Sequence, residues 1–151
     1  MKRLLLLAAC LLAVSCSGPQ EALTVKQFTL RDQDTAQQED PMVQNEKLRR
    51  LYGAVSLAER KGRLGQYYTV LWNSPKTAGF KREIVFRYQQ GGSGSRIKEM
   101  RRSLPSDAGE GKEEFSIIGD NYFDNGRVLA WKMDLIAGGE TIASKQSYLW
   151  E

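Results

Sequence analysis

Apolar and polar side chains alternate with a period of two along much of this chain from residue 66 onward. In "FKREIVFRYQQ", Phe80, Ile84, Phe86 and Tyr88 share one parity, while Lys81, Glu83, Arg87 and Gln89 share the other. Successive side chains of an extended strand point to opposite faces, so this pattern predicts a strand with one buried face. "RVLAWKMDLI" repeats it, with Leu129, Trp131, Met133 and Leu135 on one side and Lys132 and Asp134 on the other. "AGGE", residues 137 to 140, then predicts a tight hairpin into "TIASKQSYLW", because paired glycines supply the positive φ such a connection needs. "QYYTVLWN" and "EFSIIG" read as two more strands, the first apolar on both faces and therefore central.

Other stretches need arbitration. Ser56-Leu57-Ala58-Glu59 matches a capping box, and Gly65 stands where a C-terminal cap would, so a short helix is expected over residues 57–64. It would link a strand around "RLYGAV" to "QYYTVLWN". In "RIKEMRRSL", Ile97, Met100 and Leu104 recur at helical spacing, but Met100, Arg102 and Leu104 alternate as in a strand. Set between a glycine-rich loop and Pro105 in an otherwise β chain, the segment is assigned as strand. "ALTVKQFTL" is rich enough in β-branched and aromatic residues to pair as an edge strand. "RDQDTAQQEDP", residues 31–41, is polar, acidic and poor in large apolar groups, the composition of a loop or tether.

Seven or eight short strands, turn signals about every ten residues and a final hairpin point to an all-β domain. The expected architecture is a two-sheet antiparallel sandwich with one short helix, resembling immunoglobulin-like or fibronectin-type-III-like domains. The intersheet cysteine pair of antibody domains is missing. A small β-barrel, including the OB type, is the alternative.

Composition narrows the function classes. The 151 residues carry a net charge of +4, but Lys2 and Arg3 supply half of it, leaving 20 basic and 18 acidic groups in the rest. So small an excess argues against nucleic acid as a partner. The chain contains no histidine, which removes the commonest general base and metal ligand.

At the amino terminus, Lys2 and Arg3 precede an apolar stretch from Leu4 to Val14, and the small residue Ser15 closes it. These are the parts of an export signal in order. Eleven residues are too few to span a bilayer, which takes roughly 20. Ala13-Val14-Ser15-Cys16 resembles the lipobox of bacterial lipoproteins, a motif that with its signal covers about a tenth of the chain. Leu7-Ala8-Ala9-Cys10 fits the box by residue type but leaves an apolar run of only six residues, so Cys16 is preferred over Cys10. A Cys10 to Cys16 disulfide would lie within the signal and link nothing in the domain. The resemblance implies cleavage between Ser15 and Cys16, a diacylglyceryl thioether on Cys16 and, often, acylation of the new amino group. Ser17, in place of aspartate, implies release to the outer membrane where the organism has two membranes. The chain then divides into a signal peptide (1–15), a lipidated terminus with tether and edge strand (16–44) and a β-sandwich domain (45–151).

Several motifs carry candidate chemistry. Gly91-Gly92-Ser93-Gly94-Ser95, ahead of Arg96 and Lys98, lacks the spacing of a phosphate loop and reads as a flexible hairpin connection. "DNYFDNG", Asp120 to Gly126, gathers oxygen ligands, but Tyr122, Asn125 and Trp131 stand where a calcium loop needs an oxygen ligand, a glycine and a glutamate. It reads instead as a turn in which Tyr122 or Phe123 closes the end of the core. The adjacent Glu113 and Glu114 would face opposite sides of a strand, which does not make a glycosidase pair. Serines are present without a recognisable activating partner. Arg96, Lys98, Arg101 and Arg102 form a basic group diluted by Glu99, Asp107 and Glu110. Tyr67, Tyr68, Trp72 and Trp131 read as core, with Trp150 open as a sugar-stacking surface.

The sequence thus leads to the expectation of a membrane-anchored bacterial lipoprotein, a non-catalytic binding or envelope-assembly module with no cofactor and no metal. Its expected partners are the membrane, through the lipid on Cys16, and envelope proteins or polymers, with carbohydrate or polymer binding as the more specific alternative and a hydrolase as the remaining one. Ligand and oligomeric state stay open at this level.

Overall fold

The computed structural model describes residues 21–32, 40–74 and 80–150. Ser15 and Cys16 lie outside them, as does most of the segment read as a tether. The chain runs β1 (Leu23–Leu30), α1 (Pro41–Leu51), α2 (Leu57–Gly62), β2 (Gly65–Asn73), β3 (Arg82–Gln90), a 3-10 turn (Gly91–Ser93), β4 (Lys98–Ser103), β5 (Glu110–Ile118), α3 (Asp120–Asn125), β6 (Val128–Ala137) and β7 (Glu140–Gln146).

The strands form two antiparallel sheets, ordered β1-β2-β5 and β4-β3-β6-β7. No pair joins the two sheets, so the architecture is a sandwich and the barrel alternative is set aside. The order follows the immunoglobulin arrangement except that the fourth strand pairs with the third instead of completing the first sheet.

The core is the space between the sheets. Tyr68, Val70 and Trp72 of β2 meet Ile84, Phe86 and Tyr88 of β3, Phe115 and Ile117 of β5, and Met133 and Leu135 of β6. The Phe86 ring is central, 4.8 Å from Tyr68, 5.3 Å from Phe115 and 5.0 Å from Tyr88 between centroids. Each such side chain contributes roughly 1.5–3 kcal/mol on leaving water. A second cluster, Leu30, Leu64 and Tyr67 with Phe28, Leu51 and Ile118, lies on the outer face of the three-stranded sheet, where α1 covers it.

Several expectations hold. β2 is the middle strand of its sheet, and residues 98–103 are a strand, not a helix. Gly138 and Gly139 turn the β6–β7 hairpin at φ of 60° and 90°. Both halves of the capping box form: Ser56 Oγ accepts from the Glu59 N–H, and Glu59 Oε2 accepts from the Ser56 N–H.

Others need correction. "RLYGAV" is not a strand: Arg50 and Leu51 end α1, and residues 52–54 turn the chain toward α2. α1 starts because Asp40 Oδ1 accepts from the Met42 N–H and Pro41 occupies the first turn, where its missing donor costs nothing. No apolar period marks it in the sequence, because its buried positions are Lys47 and Arg50. The described residues therefore hold three short α-helices where one was expected. Leu129 points outward: the register between β3 and β6 shifts at Gln89/Gln90, and this bulge flips the start of β6 so that Val128 enters the core. Phe80 precedes β3 and is exposed, lying against Gly138.

Two buried polar side chains lock the ends of β3. Arg82 Nη2 donates to the carbonyls of Pro105, Ser106 and Ala108 at 2.8, 3.1 and 2.7 Å, fixing the loop between β4 and β5. Gln90 Nε2 donates to Asn121 O and Gly126 O at 3.0 and 2.9 Å, fixing α3, while its Oε1 accepts from Lys98 Nζ.

Candidate binding cleft

The site grows out of a change in character along one strand. Odd-numbered side chains of β1 face the opposite sheet. Leu23 and Val25 belong to the core, but Gln27 and Thr29, with Arg31 after them, are polar. On the neighbouring strand the same change occurs from Trp72, Val70 and Tyr68 to Gln66. The space between the sheets is consequently filled with hydrocarbon at one end and opens at the other as a cleft of about 360 Å³.

Gln27, Thr29 and Arg31 form one wall, Gln66 the floor, and Tyr122, Arg127 and Leu129 the other wall. Gln66 is buried, and its Oε1 accepts from the Val128 N–H, tying the floor to the start of β6. The bulge that turns Leu129 out places it at the rim. Leu149 completes the lining because Ser147 pairs with Trp131 and the Trp150 N–H donates to Ser147 O, folding the last turn back.

The lining is cationic and rich in hydrogen-bonding groups. Arg31 and Arg127 are exposed and have no carboxylate partner among the described residues. Two amides and two hydroxyls converge beside them, and no lining residue is acidic. Such a surface suits an anionic or hydroxyl-rich ligand, since guanidinium forks match carboxylate and phosphate oxygens.

Many of the charges elsewhere pair with one another. On the outer face of the four-stranded sheet, Glu83, Arg101, Glu99, Arg87, Asp134 and Lys132 form a ladder of alternating sign, with contacts of 3.0, 2.7, 2.9, 2.7 and 3.7 Å in that order. The Arg101 and Arg87 guanidiniums hold the Glu99 carboxyl below its ordinary range. Most of the basic group seen in the sequence is thereby dispersed: Arg101 joins the ladder, Arg102 stands 3.7 Å from Glu113 and Lys98 donates to Gln90, while Arg96 stays exposed after the 3-10 turn.

The remaining candidates fall into structural roles. Glu113 and Glu114 face opposite sides of β5, the first toward Arg102 and the second toward Arg49 and Arg50 of α1. Residues 91–93 are a 3-10 turn in which the Ser93 hydroxyl donates to Gln90 O. Asp120 to Asn125 form α3, with Tyr122 packed against the core and Phe123 exposed. Trp72 is buried, Trp131 packs edge-on to Tyr68 at 5.7 Å, and Trp150 is half-buried. Among the described residues, no three His, Cys, Asp or Glu side chains lie close enough to share a metal ion.

The cleft was missed in the sequence because Gln27, Thr29 and Gln66 look like ordinary solvated strand residues. The available signal was parity: each continues the same side of its strand as a core residue.

No protein-family model, curated protein or solved structure matches this chain.

Proposed function

We propose that this chain is a lipid-anchored, non-catalytic module of a bacterial envelope, and that its cleft takes an anionic, hydroxyl-rich envelope polymer. The observation that carries the binding reading is the pair of exposed arginines, Arg31 and Arg127, set beside amide and hydroxyl groups where the core gives way to solvent. The run Ala13-Val14-Ser15-Cys16 supplies the placement: acyl chains on Cys16 hold the domain at a membrane surface, stably once two or more are attached. In an organism with two membranes, Ser17 directs it to the outer one.

The chemistry of the lining favours binding over turnover. Glycoside hydrolysis runs on two carboxyl groups, and the lining residues are amides, hydroxyls, guanidiniums and hydrocarbon. The volume falls in the range of small-ligand sites, enough for a sugar unit of a longer chain running out through the open mouth.

The test is an NMR titration of isotope-labelled protein with a galacturonate oligosaccharide, which carries carboxylates, and with a dextran oligosaccharide, which carries none. Shifts are expected at residues 27–31, 127–129 and 149 with the first probe, and loss of about tenfold in affinity for Arg31→Ala combined with Arg127→Ala. Absence of shifts at these residues with both probes, or affinity untouched by the double substitution, overturns the cleft assignment.

A further inference from the structure

The outer face of the three-stranded sheet carries a helical layer, α1 and α2, with charged side chains buried beneath it and large apolar ones exposed on it. In α1 the buried side chains are charged. Lys47 Nζ lies 3.0 Å from Asp32, and Arg50 reaches Glu46 and Glu114 while its guanidinium sits over the Tyr67 ring. Leu51 packs inward beside them, but other apolar side chains point the other way: Leu48 and Tyr52, four apart on one face, are 56% and 86% exposed. Val55 at 86% and Leu57 at 73% continue the apolar surface through the turn into α2, and Met42 at 81% begins it. A run of exposed side chains this large on a small domain marks a surface that is covered in use.

Charge identifies the cover. Residues 41–64 hold six basic and two acidic side chains; Lys47 and Arg50 turn inward onto Asp32 and Glu114, which leaves four basic and two acidic side chains, a net +2, for the layer's surface, while the rest of the chain beyond Cys16 holds 14 basic and 16 acidic, Asp32 and Glu114 among the latter. The layer is thus positive where it is greasy, and the charges elsewhere are balanced. Exposed leucine, valine, methionine and tyrosine among lysines and arginines is the composition of a segment lying in the headgroup region of an anionic bilayer.

The attachment geometry agrees. Five residue steps separate Cys16 from Glu21, where the described chain begins, and at most roughly 3.6 Å each they reach about 18 Å. The chain enters β1, the edge strand of the sheet that carries α1. A helix with its side chains is about 10 Å thick. A lipid on Cys16 therefore holds this sheet close enough for the helical layer to touch the membrane.

We propose that α1, α2 and the turn between them form a membrane-lying face, with Met42, Leu48, Tyr52, Val55 and Leu57 entering the interface of an anionic bilayer and the cleft held to one side. This rests on the lipid anchor proposed above. The occupant is the bilayer, a non-specific anionic surface, and not a second protein.

The lipidated full chain, whose mature form has no cysteine other than Cys16, is given a single thiol by Leu57→Cys or, as control, by Ser144→Cys on the exposed outer face of β7. Each thiol is labelled with an environment-sensitive fluorophore. Vesicles of about three parts zwitterionic to one part anionic phospholipid are added. The label at 57 is expected to shift to the blue, brighten about threefold and be quenched by lipids carrying a nitroxide near the headgroup, while the label at 144 stays unchanged. Leu48→Glu with Tyr52→Glu, both at exposed positions and checked for fold by circular dichroism, should abolish the response although flotation with vesicles persists. Flotation with an equal response at 57 and 144 overturns this inference and leaves the anchor standing; failure to float without detergent overturns the anchor itself. A response at 57 that needs protein concentration and no vesicles assigns the face to a second copy and also overturns the inference.

Discussion

The Arg50 guanidinium carbon lies 4.0 Å from the centre of the Tyr67 ring while its Nη1 donates to Glu114, so one side chain joins α1 to two strands of the sheet beneath it. Cation and ring attract through the ring quadrupole, and the carboxylates of Glu46 and Glu114 complete the pairing. The partners are partly exposed, which places the interaction between the ~0–1 kcal/mol of surface pairs and the ~3–5 kcal/mol of broken buried ones. Arg50→Ala is expected to cost about 2 kcal/mol in urea denaturation, and Arg50→Met less, because its stem still covers Tyr67. Unchanged stability in Arg50→Ala would mean that α1 is held by the apolar cluster alone.

Arg82 predicts a larger effect at the other end of the sandwich. Arg82→Leu keeps bulk against Trp72 but leaves three carbonyls of the 105–108 loop without their donor. A loss of about 3 kcal/mol is expected, together with faster amide exchange in β4 and at the start of β5. Exchange rates equal to wild type there would show that the loop holds itself.

Gly111 leaves no room for an added carbon beside a core tryptophan. A Cβ there would lie 2.7 Å from Cζ2 of Trp72, the residue it pairs with across β2 and β5. The indole is walled in by the core, so Gly111→Ala should cost about 1–3 kcal/mol and alter tryptophan fluorescence. A neutral substitution would require the indole to shift freely.

Stability should fall at both extremes of pH. The Glu46 carboxyl is held below its ordinary value of 4.5 chiefly by its hydrogen bond to Arg49, the Glu99 carboxyl by Arg101 and Arg87, and the Glu59 carboxyl by the backbone N–H groups it caps. Each binds fewer protons folded than unfolded, so its stabilisation is present above about pH 4.5 and drains away as pH falls below it. Burial pushes the Tyr68 hydroxyl well above its ordinary 10.0, so folding opposes its ionisation and stability declines as pH rises through that value. Thermal midpoints measured from pH 2 to 11 should form a plateau bounded near these limits. A monotonic trend across the range would contradict the assignment.

How much of this was readable in advance depends on which side chains faced inward. β3 and the β6–β7 hairpin were legible because hydrocarbon at Ile84, Phe86, Met133 and Leu135 marked their period and Gly138-Gly139 marked the turn between β6 and β7. α1 was not, because its inward positions, Lys47 and Arg50, are satisfied by partners distant in sequence, which no local pattern contains. The outward turn of Leu129 had the same cause: a bulge is a property of the pairing with β3, not of β6 alone. The cleft was half legible, since the polar ends of β1 and β2 are written in the sequence but their convergence is not.

The ladder across the four-stranded sheet has a consequence for neighbours. Three cations and three anions in strict alternation produce steep fields within a few ångströms and almost none beyond, so two domains meeting on this side find neither attraction nor repulsion at a distance. On contact each would have to strip water from side chains already content with their own partners. A crowd of these domains on one surface would slide past each other along that side without sticking.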